Sequence, residues 1–239
     1  MKQLLKRTIL PAPGPRRLPL GIGLGLTMWI DFDYQTRTYL GLYEIELNRY
    51  LRPILETGAT AFDVGAQHGY DSLVIAGHTG SRVAAFDCEP ACARLMRRNF
   101  ELNPGLANLL EPVEACVGDQ PEQTGLDEYA YAESGFVPDF IKVDVDGGEL
   151  GVLRSARRLL ADRGPALIVE THSAGLERAC GRLLAERGYR LVVVNQRRFM
   201  PDHRPTTELN RWLVARRPGD PVRRSSEPRG GAGFASVHG

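Results

Sequence analysis

Residues 62–70 read F-D-V-G-A-Q-H-G-Y: an apolar run ends in an acid and turns through Gly65 and Gly69 into a segment of helical character. A strand-to-helix turn without Cβ atoms lets a ligand approach the backbone, and the helix N-terminus adds free N–H donors. The same glycines would also serve simply to turn the chain. Outward from this stretch, apolar β-type runs are expected at 82–87, 112–117, 139–145, 166–171, 189–195 and 209–215, with Ala61 to Val64 as the first core strand. Between them Leu150, Leu153, Ala156 and Leu160 recur at helical spacing, as do Leu176, Cys180 and Leu184. Gly164-Pro165 and Gly188 stop helices just before apolar runs. Alternation of this kind gives an α/β fold, a parallel sheet covered by helices on both faces.

The chain has 239 residues, 43% hydrophobic and 25% charged, in keeping with one globular domain carrying short extensions. With 30 Lys and Arg against 29 Asp and Glu, the net charge of +1 gives no support to nucleic acid as a partner. Cys88, Cys92, Cys116 and Cys180 lack C-x-x-C spacing, so neither a disulfide framework nor a zinc site is indicated. The longest apolar candidate, Leu18 to Ile30, holds three glycines and a proline, so no membrane span is expected. A cytoplasmic protein is the expectation. Residues 1–17, basic then Pro-rich, and 217–239, rich in Arg, Pro, Gly and Ser, read as disordered ends of a domain spanning 59–216. Residues 18–58 carry Trp29, Tyr34, Tyr39, Tyr43 and Tyr50, which would either close over the ligand crevice as a lid or fill the contact with the sheet.

Asp87 closes the second core strand 24 positions after Asp63, near the spacing of a ribose-binding acid behind a Gly-rich turn. Taken alone, an acid at a strand end is more often a cap for the next helix, here the one starting at Glu89-Pro90. The turn is not G-x-G-x-x-G, and Asp63 would repel a pyrophosphate while suiting an ammonium group. A nicotinamide-dependent oxidoreductase and a non-catalytic binding protein of the same fold stand as alternatives.

The succession D-V-G-A-Q-H-G-Y (63–70), A-F-D-C-E-P (85–90), R-R-N (97–99), T-G-L-D-E-Y (124–129), D-F-I-K-V-D-V-D-G-G-E (139–149) and I-V-E-T-H (168–172) resembles the FkbM family of S-adenosylmethionine-dependent methyltransferases over roughly 38–215. The resemblance implies a class I, Rossmann-like three-layer sandwich with a seven-stranded, mostly parallel sheet whose last strand is antiparallel. It implies S-adenosylmethionine as cofactor, with Asp63, Gly65, Ala66 and Gly69 at the methionine part, Asp87 at the ribose and 115–119, including Asp119, at the adenine. Asp144 would lie beside the methionine moiety or the acceptor, a hydroxyl on a sugar, glycan or small natural product. Gln67 stands where the family has Asn, Cys88 and Glu89 intervene before Pro90, and Asp146 replaces Glu.

An alcohol acceptor must lose its proton as the new bond forms, and His172, Asp144 and Glu170 are the candidate bases at the ends of the middle strands. Asp146 with Glu149 reads as a capping box rather than a ligand set, so no metal is expected.

Overall fold

In the computed structural model the described residues are 11–197 and 210–219. Glycine and proline divide them into short elements, beginning with β1 (Gly14–Arg17), β2 (Thr27–Ile30), the short α1 (Thr36–Tyr39) and α2 (Asn48–Leu55). There follow β3 (Ala61–Val64), α3 (Tyr70–Thr79), β4 (Val83–Asp87), α4 (Pro90–Glu101), β5 (Leu110–Glu114), the single turn α5 (Leu126–Glu128) and β6 (Phe140–Val143). The chain continues through α6 (Glu149–Ser155), β7 (Ala166–Thr171), α7 (Ala174–Glu186), β8 (Arg190–Asn195) and β9 (Arg211–Arg216).

Seven strands form one sheet in the order β5-β4-β3-β6-β7-β9-β8. Strands β3 to β7 run parallel, and β9, the last in the chain, lies antiparallel between β7 and β8. That is the class I methyltransferase arrangement. Sequential strands leave β3 in one direction and β6 in the other, so the crevice between their carboxyl ends is the topological switch point where α/β sheets bind ligands.

Alternate strand residues feed two separate cores. Phe62, Val64, Ala84, Phe86, Ile141 and Val143 pack against α6 and α7 with Leu153, Cys180 and Leu184. Ala61, Ala85, Phe140 and Ile168 face α3, α4 and the N-terminal segment, with Leu73, Met96, Met28 and Ile30. By the same period of two, Asp63, Lys142 and Glu170 belong to the second face. All three are buried polar residues in largely apolar strands.

The N-terminal segment is built onto the domain. Gly14–Arg17, expected within a disordered end, form β1 and pair antiparallel with β2. The edge of β2 is satisfied by two asparagines, Asn99 on α4 and Asn103 just beyond its C-terminal end: Asn99 Oδ1 accepts from Trp29 N (2.7 Å) and Asn103 Oδ1 from Thr27 N (2.9 Å). Arg98 lies over the Trp29 ring, 3.3 Å from its centroid. Phe32 meets Tyr39 edge-on, and Tyr43 meets Tyr70. These aromatics fill the contact with the domain, while Tyr34 is exposed.

Where elements differ from the sequence reading, the cause is local. The third core strand is Leu110–Glu114 rather than 112–117, and Pro112 is tolerated because β5 is an edge strand. The helix expected through Leu160 ends at Ser155, and a wide turn over Leu159–Arg163 carries Leu159 and Leu160 into the core. The expected start of the last strand, Leu209, and the disorder expected over 1–10 and 220–239 lie outside the described residues. Gly164 and Gly188 have positive φ, as helix stops should.

Gly65 is fixed by packing. Its φ is +85°, and a Cβ there would stand 1.9 Å from the Asp144 carbonyl oxygen, whereas Gly80, also left-handed, has open space. Gly65→Ala therefore adds a backbone clash to left-handed strain and should cost about 3 kcal/mol or more; Gly80→Ala should cost only about 1 kcal/mol. Urea unfolding of the two variants checks the difference.

Candidate active site

Strand β3 stops at Val64 because the chain must cross under Asp144, and the following loop is held by β4. Gly65 N and Ala66 N both donate to the Phe86 carbonyl at 2.9 Å. Gln67, left-handed at φ 47°, donates its N–H to Asp87 Oδ2 at 2.8 Å. Asp87 Oδ1 accepts from Glu89 N at 2.9 Å, so this acid ties the loop to the start of α4. Asn99 holds the loop from the other side by donating to the His68 carbonyl at 2.7 Å. Gln35 Nε2 donates to His68 Nδ1 at 3.1 Å, and burial lowers the imidazole's pKa, which favours the neutral ring.

A cavity of about 230 Å³ opens at the switch point. Its walls are the loop Gly65 to His68, Tyr70 and Asp71 of α3, Lys142 and Asp144 of β6 and its end, and Gln35, Thr38 and Tyr43 of the N-terminal segment. Lys142 is buried and decides its electrostatics. Its Nζ lies 2.8 Å from Asp71 Oδ2, 3.4 Å from Glu44 Oε2 and 3.9 Å from Asp144 Oδ2. Burial alone would depress its pKa, but Asp71, Glu44, Tyr43 and Asp144 together raise it well above an ordinary lysine's. Burial, reinforced by the neighbouring carboxylates against the pull of Lys142, raises Glu44 well above the usual carboxyl value. The network thus keeps Lys142 cationic, with Asp71 as its nearest partner, and moves Glu44 toward its protonated form.

Beyond Asp144 the ends of β6 and β7 bring further groups together. His172 Nδ1 is 2.5 Å from Glu149 Oε1, and its Nε2 is 3.7 Å from Asp144 Oδ1, 3.6 Å from Asp146 Oδ1 and 3.7 Å from Glu170 Oε1. Trp212 Nε1 donates to the other Glu170 oxygen at 3.1 Å. The capping box expected here is absent: α6 is capped by Gly148 without a side-chain bond, the Asp146 side chain is 81% exposed, and Glu149 turns inward to His172.

Of the residues singled out from the sequence, Gly65, Ala66 and Asp144 line the cavity. Asp87 adjoins it through the Gln67 amide, and Gly69 faces Phe100 and Met96, where a Cβ would lie 2.6 Å from the Phe100 ring. Asp63 stands behind the cavity wall, buried, accepting from Ser72 Oγ at 2.5 Å. Asp119 is elsewhere: it pairs with Arg154 at 3.7 Å in a separate surface cavity with Arg157 and Arg182. His172 and Glu170 are joined to the cavity through Asp144. The sequence reading assigned nothing to Lys142, Glu44 or Asp71. A lysine between Ile141 and Val143 in a strand buried on both faces was the available signal, since such a charge requires a partner.

Residues 117–191 match the family model described as the Methyltransferase FkbM domain. That segment is similar to the FkbM family over about a third of the chain. The FkbM span carries Lys142, Asp144, Glu149, Glu170 and His172 and leaves the glycine loop outside it. Comparison with curated proteins gives no match. Among solved structures, the methyltransferase FkbM from Methylobacillus flagellatus KT is 19% identical over 65% of this chain and 43% of that one, with a TM-score of 0.53. This chain therefore spans less than half of that relative's length. The tRNA methyltransferase TrmK of B. subtilis is 18% identical over 72% of this chain and 65% of its own, TM-score 0.51. The N-terminal domain of human METTL16 in complex with SAH is 17% identical over 72% and 69%, TM-score 0.51. At these identities the likeness is one of fold. Among the described residues no helix is long and apolar enough to cross a membrane.

Burial, with Asp71 adding to it, pushes the Asp63 carboxyl up to about 7. The native state then keeps a proton that the unfolded chain releases near pH 4, so this group's contribution is full below roughly pH 4 and lost as pH rises to about 7. Relative to the wild type, Asp63→Asn should gain stability steadily across that window and level off above it. Denaturant midpoints at several pH values measure this; a constant difference contradicts it.

Proposed function

We propose that the protein transfers a methyl group from S-adenosylmethionine to a hydroxyl oxygen of a sugar, glycan or other small natural-product acceptor. The observation that carries the reading is the cavity at the switch point, which presents both charge signs, Lys142 against Asp71 and Asp144, beside the glycine loop. An amino acid tail with an ammonium and a carboxylate suits such a lining, and a lone phosphate does not. The match to the FkbM domain and an SAH-bound neighbour of the same fold support the cofactor class.

When bound, S-adenosylmethionine supplies a methyl carbon already activated by the positive sulfur. The chain's task is then to align, and alignment is worth roughly 7 to 11 kcal/mol where near-attack geometry is held. In this reading Gly65 to Gln67 bring backbone close to the methionine part, Lys142 and Asp144 with Asp71 meet its charged ends, and Asp87 takes the ribose diol. Tyr43 and Gln35 exclude water from the cavity's outer side. The acceptor proton passes toward the Asp144, Glu170 and His172 group, where the ring of His172 is held by Glu149.

Calorimetry should find S-adenosylhomocysteine binding without NADH binding; the reverse result would replace the reading with an oxidoreductase. Asp87→Ala should weaken S-adenosylhomocysteine tenfold or more, through lost charge-assisted hydrogen bonds and a loosened Gln67 amide. His172→Ala should lower turnover while cofactor affinity is kept. Labelled methyl transfer assayed against glycosides, glycans and tRNA identifies the acceptor class, and label entering only the tRNA would sink the hydroxyl-glycan assignment.

A further inference from the structure

At the ends of β6 and β7, His172 Nε2 has three carboxylate oxygens at 3.6 to 3.7 Å, from Asp146, Asp144 and Glu170. None of the three is within hydrogen-bonding distance of it. One ligand atom each from Asp144, Glu170 and His172 can be chosen so that all lie within 4.8 Å of one another, and all three residues are buried. Ligands of a single divalent ion sit about 2.1 Å from it, so they stand on the order of 3 to 4 Å apart; the observed spacing needs only a small closure.

The other ring nitrogen gives an independent indication. Nδ1 lies 2.5 Å from Glu149 Oε1, and since a carboxylate only accepts, the Nδ1 proton is held there. In the neutral ring the lone pair is then on Nε2, the nitrogen that lies 3.6 to 3.7 Å from the three carboxylate oxygens. A carboxylate holding the far nitrogen of an imidazole is the arrangement that orients metal-ligating histidines. Glu149 is fully buried, and its Oε2 has no hydrogen-bond partner among the described residues, so within the described fold its side-chain hydrogen bonding is committed to this ring.

We infer that Asp144, Glu170 and His172 bind one divalent cation of the class that accepts mixed carboxylate and imidazole ligands, with Mn²⁺ as its representative, and that Glu149 positions the histidine. This departs from the expectation of no metal, which rested on Asp146 and Glu149 capping α6. Binding of the ion does not depend on methyl transfer. Its use does rest on that reading: a cation sharing Asp144 with the cavity would hold an acceptor hydroxyl and lower its pKa.

The test uses the full chain, stripped with chelator and desalted, then titrated with Mn²⁺ by calorimetry and by loss of the free-ion electron paramagnetic resonance signal. One saturable Mn²⁺ per chain is expected. Affinity should fall at least tenfold in Glu170→Gln and in His172→Ala, and by about 10- to 100-fold in Glu149→Gln, while the exposed Asp162→Asn is unchanged. Should the variants fail to fold, spin-echo modulation of the wild type still decides, because a bound imidazole gives a coupled nitrogen. Absence of saturable binding, absence of that nitrogen coupling, or unchanged affinity in both folded ligand variants overturns the site. S-adenosylhomocysteine titrated into the same samples separates the two readings: its binding without Mn²⁺ sites leaves the cofactor assignment and removes the cation, and Mn²⁺ binding without it does the opposite.

Discussion

One ammonium group, sealed between the sheet and the N-terminal segment, sets the conditions for the rest of the site. Lys142 is in contact with Asp71 of α3, Glu44 of the N-terminal segment and Asp144 at its own strand's end. Three parts of the chain therefore depend on a single charge. A buried pair of this kind adds little net stability over an apolar substitute, yet removing one partner alone is severely destabilising, because the other charge is left without compensation. What the arrangement gains is position: it gathers the carboxyl groups of Asp71, Glu44 and Asp144 around one cation at the mouth of the crevice.

The second constraint is steric. The glycine loop resembles a ligand cradle in sequence, but Gly65 is required first by the Asp144 backbone and Gly69 by Phe100 and Met96. Close approach of protein to protein places the loop, and the space left in front of it is a consequence. The same contact links the two sides of the switch point, since the residue under which Gly65 passes is also the one that faces the cavity and reaches toward His172.

Much of this was legible in the sequence. Strands at Ala61–Val64 and Ala166–Thr171 were readable to the residue because apolar runs there are bounded by glycine, proline or polar residues. The β5 strand was shifted because Pro112 reads as a strand start, while edge position makes it an interior residue. Asp63 read as a ligand contact because spacing cannot tell which side of a strand end faces the crevice; the alternation with Phe62 and Val64 turns it inward to Ser72. Glu149 was hidden by its resemblance to a capping residue. The partners of Lys142, at positions 44 and 71, come from separate elements, and only the packed fold brings them together.

Asn99 joins two things that the chain keeps 31 residues apart on one side and 70 on the other: it accepts from the Trp29 amide and donates to the His68 carbonyl. Docking of the first hairpin and ordering of the glycine turn are therefore thermodynamically linked. Whatever peels the hairpin away, whether proteolytic nicking or a competing partner for its edge, would also loosen the turn; whatever settles into the crevice would in return fasten the hairpin, making resistance to proteolysis before residue 31 a remote reporter of occupancy.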